Sequence, residues 1–154
     1  MDPAMPGTAT PFENMCHNAS AALSSCVGYL VHRMSFDIVN DRDALEISLR
    51  RGPEWPDITI SLEGLYHLSV SKLPESSVCF VDEILVRHLP ELPHPWPDGP
   101  TSVRRFPGQT ELVWLRVVGP MEIEVVASIL TVLTAMSDEL AATAPDGVRT
   151  EHED

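Results

Sequence analysis

The side chains that could do chemistry are scattered along this chain. Histidines stand at His17, His32, His67, His88, His94 and His152. No two are spaced H-x-x-x-H, and none belongs to an H-E-x-x-H zinc motif. The cysteines are Cys16, Cys26 and Cys79, and no two of them form C-x-x-C. Neither a zinc knuckle nor a redox dithiol is therefore written locally. A zinc site would have to be gathered from distant residues, such as Cys79 with His67. Cys16 and His17 are neighbours, and on an extended chain they point to opposite sides, so they cannot pair there as thiolate and imidazole. Isolated cysteines more often fill core space than attack substrates. G-x-S-x-G, G-x-x-x-x-G-K and G-x-G-x-x-G are all missing. The chain thus lacks the local signatures of a nucleophile elbow and of a phosphate cradle. The sequence assigns no catalytic residue, no metal site and no cofactor.

Three clusters remain. Glu122 and Glu124 lie two apart, so on a strand they project from one face. They could form an acidic patch, an acid/base pair or a cation site. The plainer reading is a solvated face opposite Met121, Ile123 and Val125. Trp96, Arg104, Arg105 and Phe106 fall within a proline-rich segment, and Trp and Arg are the residues most enriched at binding hot spots. Its P-x-P-x-P run suits polyproline II geometry and docking on an aromatic groove. The competing reading is a stiff loop that folds back, with Trp96 plugging an edge of the core. Trp114 and Arg116 share a strand face. Either the guanidinium covers the indole, or it binds an anionic ligand. The candidate binding residues are therefore Trp96, Arg104, Arg105, Phe106, Trp114 and Arg116.

The elements that must position these residues read mainly as strands. Period-two alternation runs through Tyr29 to Ile38. It continues through Leu45, Ile47 and Leu49, and then through Ile58, Ile60 and Leu62. Asn40-Asp41-Arg42-Asp43 is a turn between the first two runs. Gly64 breaks the phase, as a bulge or tight turn does, after which Tyr66, Leu68 and Val70 share a face. Val78 to Leu89 forms a further strand with a bend at Asp82-Glu83. Pro90 to Pro107 carries six prolines, which forbids a helix or a central strand. The most apolar stretch, Gln109 to Leu133, is divided by Gly119-Pro120 and reads as the central strand pair of the sheet. Beyond Ser128, strand and helix patterns compete. A short helix fits Phe12 to Leu23, capped by Asn18 or Ser20.

The domain organisation follows. Residues 1–11 read as a disordered arm and residues 12–136 as a single β-rich domain with its proline-rich loop at 90–107. Residues 137–154 read as a short helix and an acidic tail. The fold class is mainly β or α+β. It is an antiparallel sandwich or half-open barrel of six to eight strands with short terminal helices. The net charge of −13 and the lack of a basic stripe argue against nucleic acid and against anionic membranes. An odd cysteine count suits a reducing cytoplasm. Arginine dominance among the basic residues is a compositional hint of a bacterial source.

The alternating L-E-I-S-L, the run I-T-I-S-L-E-G-L-Y-H-L and the late L-R-V-V-G-P-M-E-I-E-V-V-A resemble small bacterial β-sheet families. Some of these are of the polymorphic-toxin immunity type. The resemblance covers about half the chain, carries over no functional residue, and implies a binding role. Two function classes follow. One is a non-enzymatic interaction protein, immunity-type or a pathway accessory factor, that binds a protein partner. The other is a small enzyme or ligand-binding domain whose pocket is capped by the 90–107 loop. Homodimerisation through an apolar edge strand is a further expectation.

Overall fold

The architecture comes from a computed structural model that describes residues 9–39, 41–71, 80–98 and 103–136. The expected terminal helix and acidic tail, most of the expected N-terminal arm, and Cys79 lie outside them. Among the described residues, one helix, α1 (Pro11–Leu23), and a short 3-10 turn (Ser24–Cys26) precede six strands. These are β1 (Leu30–Val39), β2 (Arg42–Arg50), β3 (Asp57–Val70), β4 (Glu83–Leu89), β5 (Leu112–Val118) and β6 (Ile123–Ala135). They form one antiparallel sheet in the order β1-β2-β3-β6-β5-β4. The central pair is therefore β3 and β6. The expected central pair, β5 and β6, are neighbours, but β5 lies one place further out. The competition beyond Ser128 resolves to strand, because β6 pairs with β3 as far as Asp57 opposite Ala135. Backbone pairing along a fourteen-residue partner overrides the helical spacing of Val126, Leu130 and Leu133.

The sheet curls without closing into a barrel. Among the described residues, β1 meets the segment that leads into β4 at one bridge, Leu30 opposite Phe80. Val81 reinforces that contact, donating its N–H to Tyr29 O at 2.8 Å and accepting from Gly28 N at 2.9 Å. The concave face holds the core. Leu45, Ile47 and Leu49 of β2 meet Ile58, Ile60 and Leu62 of β3, then Ile123, Val125 and Ala127 of β6 and Val113, Leu115 and Val117 of β5. Each of these strands supplies alternate residues to this face, as the period-two pattern requires.

Helix α1 covers the concave face beside β4 and β6. Thr10 starts it: its hydroxyl accepts from Glu13 N at 3.0 Å, and Pro11 takes the first helical position. The cap is thus Thr10 rather than Asn18 or Ser20, and the helix begins one residue ahead of the expected domain start. Cys16, Ala19 and Leu23 recur at helical spacing and are buried against the sheet.

Gly64 is the pivot of the long β3–β6 ribbon. Leu62 pairs with Leu130 on the core face, but the next core-facing pair is Leu65 with Ala127. Both strands therefore change phase at Gly64 and Ser128. Gly64 has φ +66°, a left-handed conformation that L-residues adopt at a cost. The register itself shifts just beyond, between Leu65 and His67. Tyr66 is the extra residue there and is half exposed instead of joining the face of Leu68. The phase change at Ser128, in turn, directs Ile129 and Leu133 of β6 outward, and both are exposed.

Candidate functional site

The convex face of β4, β5 and β6 gathers most of the residues singled out from sequence. Register alignment sets them in rows. Arg87, Trp114, Val126 and His67 lie across β4, β5, β6 and β3 in one row. Leu85, Arg116, Glu124 and Ser69 form the next, and Leu89 pairs with Leu112 on the far side. Leu89, Leu112, Trp114 and Val126 make a second buried cluster, separate from the main core. Trp96 and Val103 of the 90–107 loop pack onto it. The loop thus folds back over the sheet at the strand pair that leads out of it.

Hydrogen bonds fix that arrangement. Trp96 Nε1 donates to Pro90 O at 2.8 Å, and an Arg105 guanidinium nitrogen donates to the same carbonyl at 2.7 Å. The Arg105 guanidinium lies 4.7 Å from the centre of the Trp96 ring, within the range of a cation–π contact. Trp96 and Arg105 therefore anchor the loop on the sheet. Arg104 and Phe106 face solvent, Phe106 being 52% exposed, and Leu92 of the same loop is 46% exposed.

Trp114 and Arg116 share a face, as their spacing requires. The Trp114 indole donates to Glu124 Oε2 at 2.8 Å. Its ring is covered by Arg87 of β4, at 5.8 Å, rather than by Arg116. Arg116 instead pairs with Glu122 across the β5–β6 hairpin. Glu122 and Glu124 thus both sit on the outer face opposite buried Ile123 and Val125, engaged by Arg116 and Trp114. His67 Nε2 lies 3.5 Å from Glu124 Oε1. Glu124 therefore ties β5 to β6 through Trp114 and lies close to His67 of β3, whose Nε2 makes no hydrogen bond.

A second constellation was not legible in the sequence. Glu111 Oε2 accepts from Thr10 Oγ1 at 2.7 Å and lies 2.7 Å from His88 Nε2. Glu13, Glu91, His94 and Pro90 complete the wall of a cavity of about 460 Å³. Thr10 and Glu111 stand 101 residues apart, so no spacing rule could join them. The Thr-Pro-x-Glu start of α1 was the one available signal, since it places a helix N-terminus at Thr10. The Phe12 ring tilts against the His88 imidazole at 5.9 Å between centroids. Arg116 and His67 do not line this cavity.

Cys16 lies near the same wall. Burial, and after it the charges of Glu111 and Glu13, push its thiol up to about 12. Near neutral pH it therefore stays protonated, which removes it as a nucleophile. Burial also raises Cys26. Both are free thiols, and Cys16 is buried while His17 beside it on α1 is exposed. Among the described residues, no group of three or more His, Cys, Asp or Glu side chains is placed to hold a metal ion. Among them, too, no helix is long and apolar enough to cross a membrane. Comparison with protein-family models, with characterised sequences and with solved structures finds no match for this chain.

Proposed function

We propose that this chain is a non-enzymatic bacterial interaction protein, immunity-type or a pathway accessory factor. It binds a protein partner where the 90–107 loop crosses β4 and β5. One observation carries the reading. The loop is clamped through Trp96 and Arg105, yet it leaves Phe106, Leu92 and Arg104 exposed. A rigid backing with exposed aromatic, aliphatic and guanidinium groups is what an interface core uses, because little conformational entropy is lost on docking. The free thiols of Cys16 and Cys26 support a cytoplasmic setting.

The test is capture of a stoichiometric partner from the native host, run beside Phe106→Asp and Arg104→Glu variants. Both side chains are exposed, so the fold should tolerate the changes. A partner held by the wild type and lost by both variants supports the reading. Retention by the variants, or no stoichiometric partner at all, refutes it.

A second reading rests on the cavity at the foot of the loop. The His88–Glu111 pair, with His94 and Glu91 contributed by the loop side, would serve a small ligand-binding domain or enzyme. A co-purifying small molecule displaced by His88→Ala would favour it over the partner reading.

A further inference from the structure

The outer edge of β1 carries a pattern that is complementary to itself. Among the described residues, no strand pairs with that edge beyond the single bridge at Leu30. The run along it is Arg33-Met34-Ser35-Phe36-Asp37, of which Arg33, Phe36 and Asp37 are exposed while Met34 and Ser35 are half-buried. Its register on β2 places Arg33, Ser35 and Asp37 on one face, opposite Ser48, Glu46 and Ala44. Met34 and Phe36 lie on the core face, opposite Ile47 and Leu45. Arg33 and Asp37 are exposed, and neither has an ion-pair partner among the described residues. Phe36 is 47% exposed at the rim of the core.

Charges on an edge strand ordinarily repel a second edge. Here the two charges are opposite in sign and symmetric about Ser35. An antiparallel approach of two copies can oppose only residues of like parity. Centred on Ser35, it sets each Arg33 against the other copy's Asp37, and each Met34 against its Phe36. Moving the centre to Met34 sets Arg33 against Ser35. Moving it to Phe36 sets Arg33 against Val39. Only one register therefore satisfies the charges, and that same register covers the exposed phenyl ring. The bulge between Val31 and Arg33 ends the ladder on one side. The other edge strand, β4, carries Glu83 and Arg87 at the same spacing. However, Arg87 lies over Trp114 and α1 packs along that strand.

We infer that β1 pairs with β1 of a second copy of this chain, antiparallel and centred on Ser35, to make a two-fold dimer with a continuous sheet. The occupant is fixed by charge complementarity, because a strand of other sequence would need the same symmetric charge pair. A five-residue ladder is short, so the dimer belongs among weak, reversible associations. This surface is distinct from the one proposed for the protein partner, and the two can fail separately.

Sedimentation equilibrium or light scattering on the full chain tests the inference. Runs at about 0.15 M salt screen the bulk repulsion of two acidic copies beyond about 8 Å. The wild type should approach twice the monomer mass by about 1 mM, the weak end of specific affinity. Arg33→Asp and Asp37→Arg, each alone, set like charges together and should weaken the dimer at least about tenfold. The exchange Arg33→Asp with Asp37→Arg rebuilds both pairs and should return the dissociation constant to within about threefold of wild type. Circular dichroism of each variant confirms the fold. A wild type that stays monomeric at that concentration overturns the inference. So does a dimer indifferent to Arg33→Asp, or an exchange variant that fails to recover.

Discussion

Replacing Gly64 by alanine tests the pivot on which the face assignment of β3 and β6 depends. The backbone there has φ +66°, and a Cβ would lie 2.0 Å from Ser128 Oγ. An L-residue in this conformation costs about 1–2 kcal/mol. The Ser128 hydroxyl donates to Gly64 O at 3.1 Å and must turn away, which forfeits about 1 kcal/mol. Gly64→Ala should therefore destabilise by about 2–3 kcal/mol. For a chain of this size that lowers Tm by about 4–10 °C. Ser128→Ala removes the obstructing oxygen and leaves a Cβ at 3.3 Å. The double variant should then be about 1 kcal/mol more stable than the sum of the single effects predicts. Urea unfolding of the four proteins, compared at a common m-value, measures both quantities. Strict additivity, or a Gly64→Ala protein within about 0.5 kcal/mol of wild type, would refute the account of a phase change enforced at this pair.

Three other perturbations probe the helix, the loop and the buried thiol. Thr10→Ala removes the α1 cap and the hydroxyl on Glu111, and should lower stability by about 1–2 kcal/mol, whereas Thr10→Ser keeps most of it; thermal melts separate the two. Trp96→Ala strips the loop anchor from Leu89, Leu112, Trp114 and Val126 and frees Pro90 O from the indole. It should cost about 2–3 kcal/mol, and amide exchange over residues 90–98 should accelerate while β5 and β6 stay protected. Cys16 is raised from 9.0 to about 12 in the folded state, so between those values the folded form binds the proton and the unfolded form releases it. Its contribution is complete below pH 9 and is lost as pH rises towards 12. Cys16→Ser should flatten that alkaline decline, and peptide mapping after iodoacetamide treatment at pH 8 should find Cys16 of the native wild type unlabelled.

Much of the fold was legible because strands announce themselves through alternation. Leu45, Ile47 and Leu49, then Ile58, Ile60 and Leu62, declare a buried face before any partner strand is known. Gly64 was legible as a break, since only glycine sits comfortably at that φ. Its consequence for Tyr66 was not, because the bulge exists only where β6 supplies a register for Tyr66 to be left out of. The Glu122 to Met136 region shows the same limit. Its helical spacing was real, but the backbone donors and acceptors of β3 decided the outcome. Trp114 and Arg116 share a face as expected, yet which groups meet them depends on β4 and on the hairpin turn. Arg87 arrives from one and Glu122 from the other.

By itself, the sequence determined that this chain builds an antiparallel sheet, that the six prolines between Pro90 and Pro107 forbid a helix or a central strand there, and that the familiar local catalytic and phosphate-binding motifs are missing. Side-chain periodicity, proline geometry and the demands of local motifs act within a few residues, so they can be read in one dimension. Only the tertiary structure decided the strand order, the place of β3 and β6 at the centre, the docking of Trp96 beside Trp114, and the meeting of Thr10, His88 and Glu111. Those are contacts between residues tens of positions apart. They form because a curled sheet must bury its concave face against α1 and satisfy its edges with whatever chain the curl brings near.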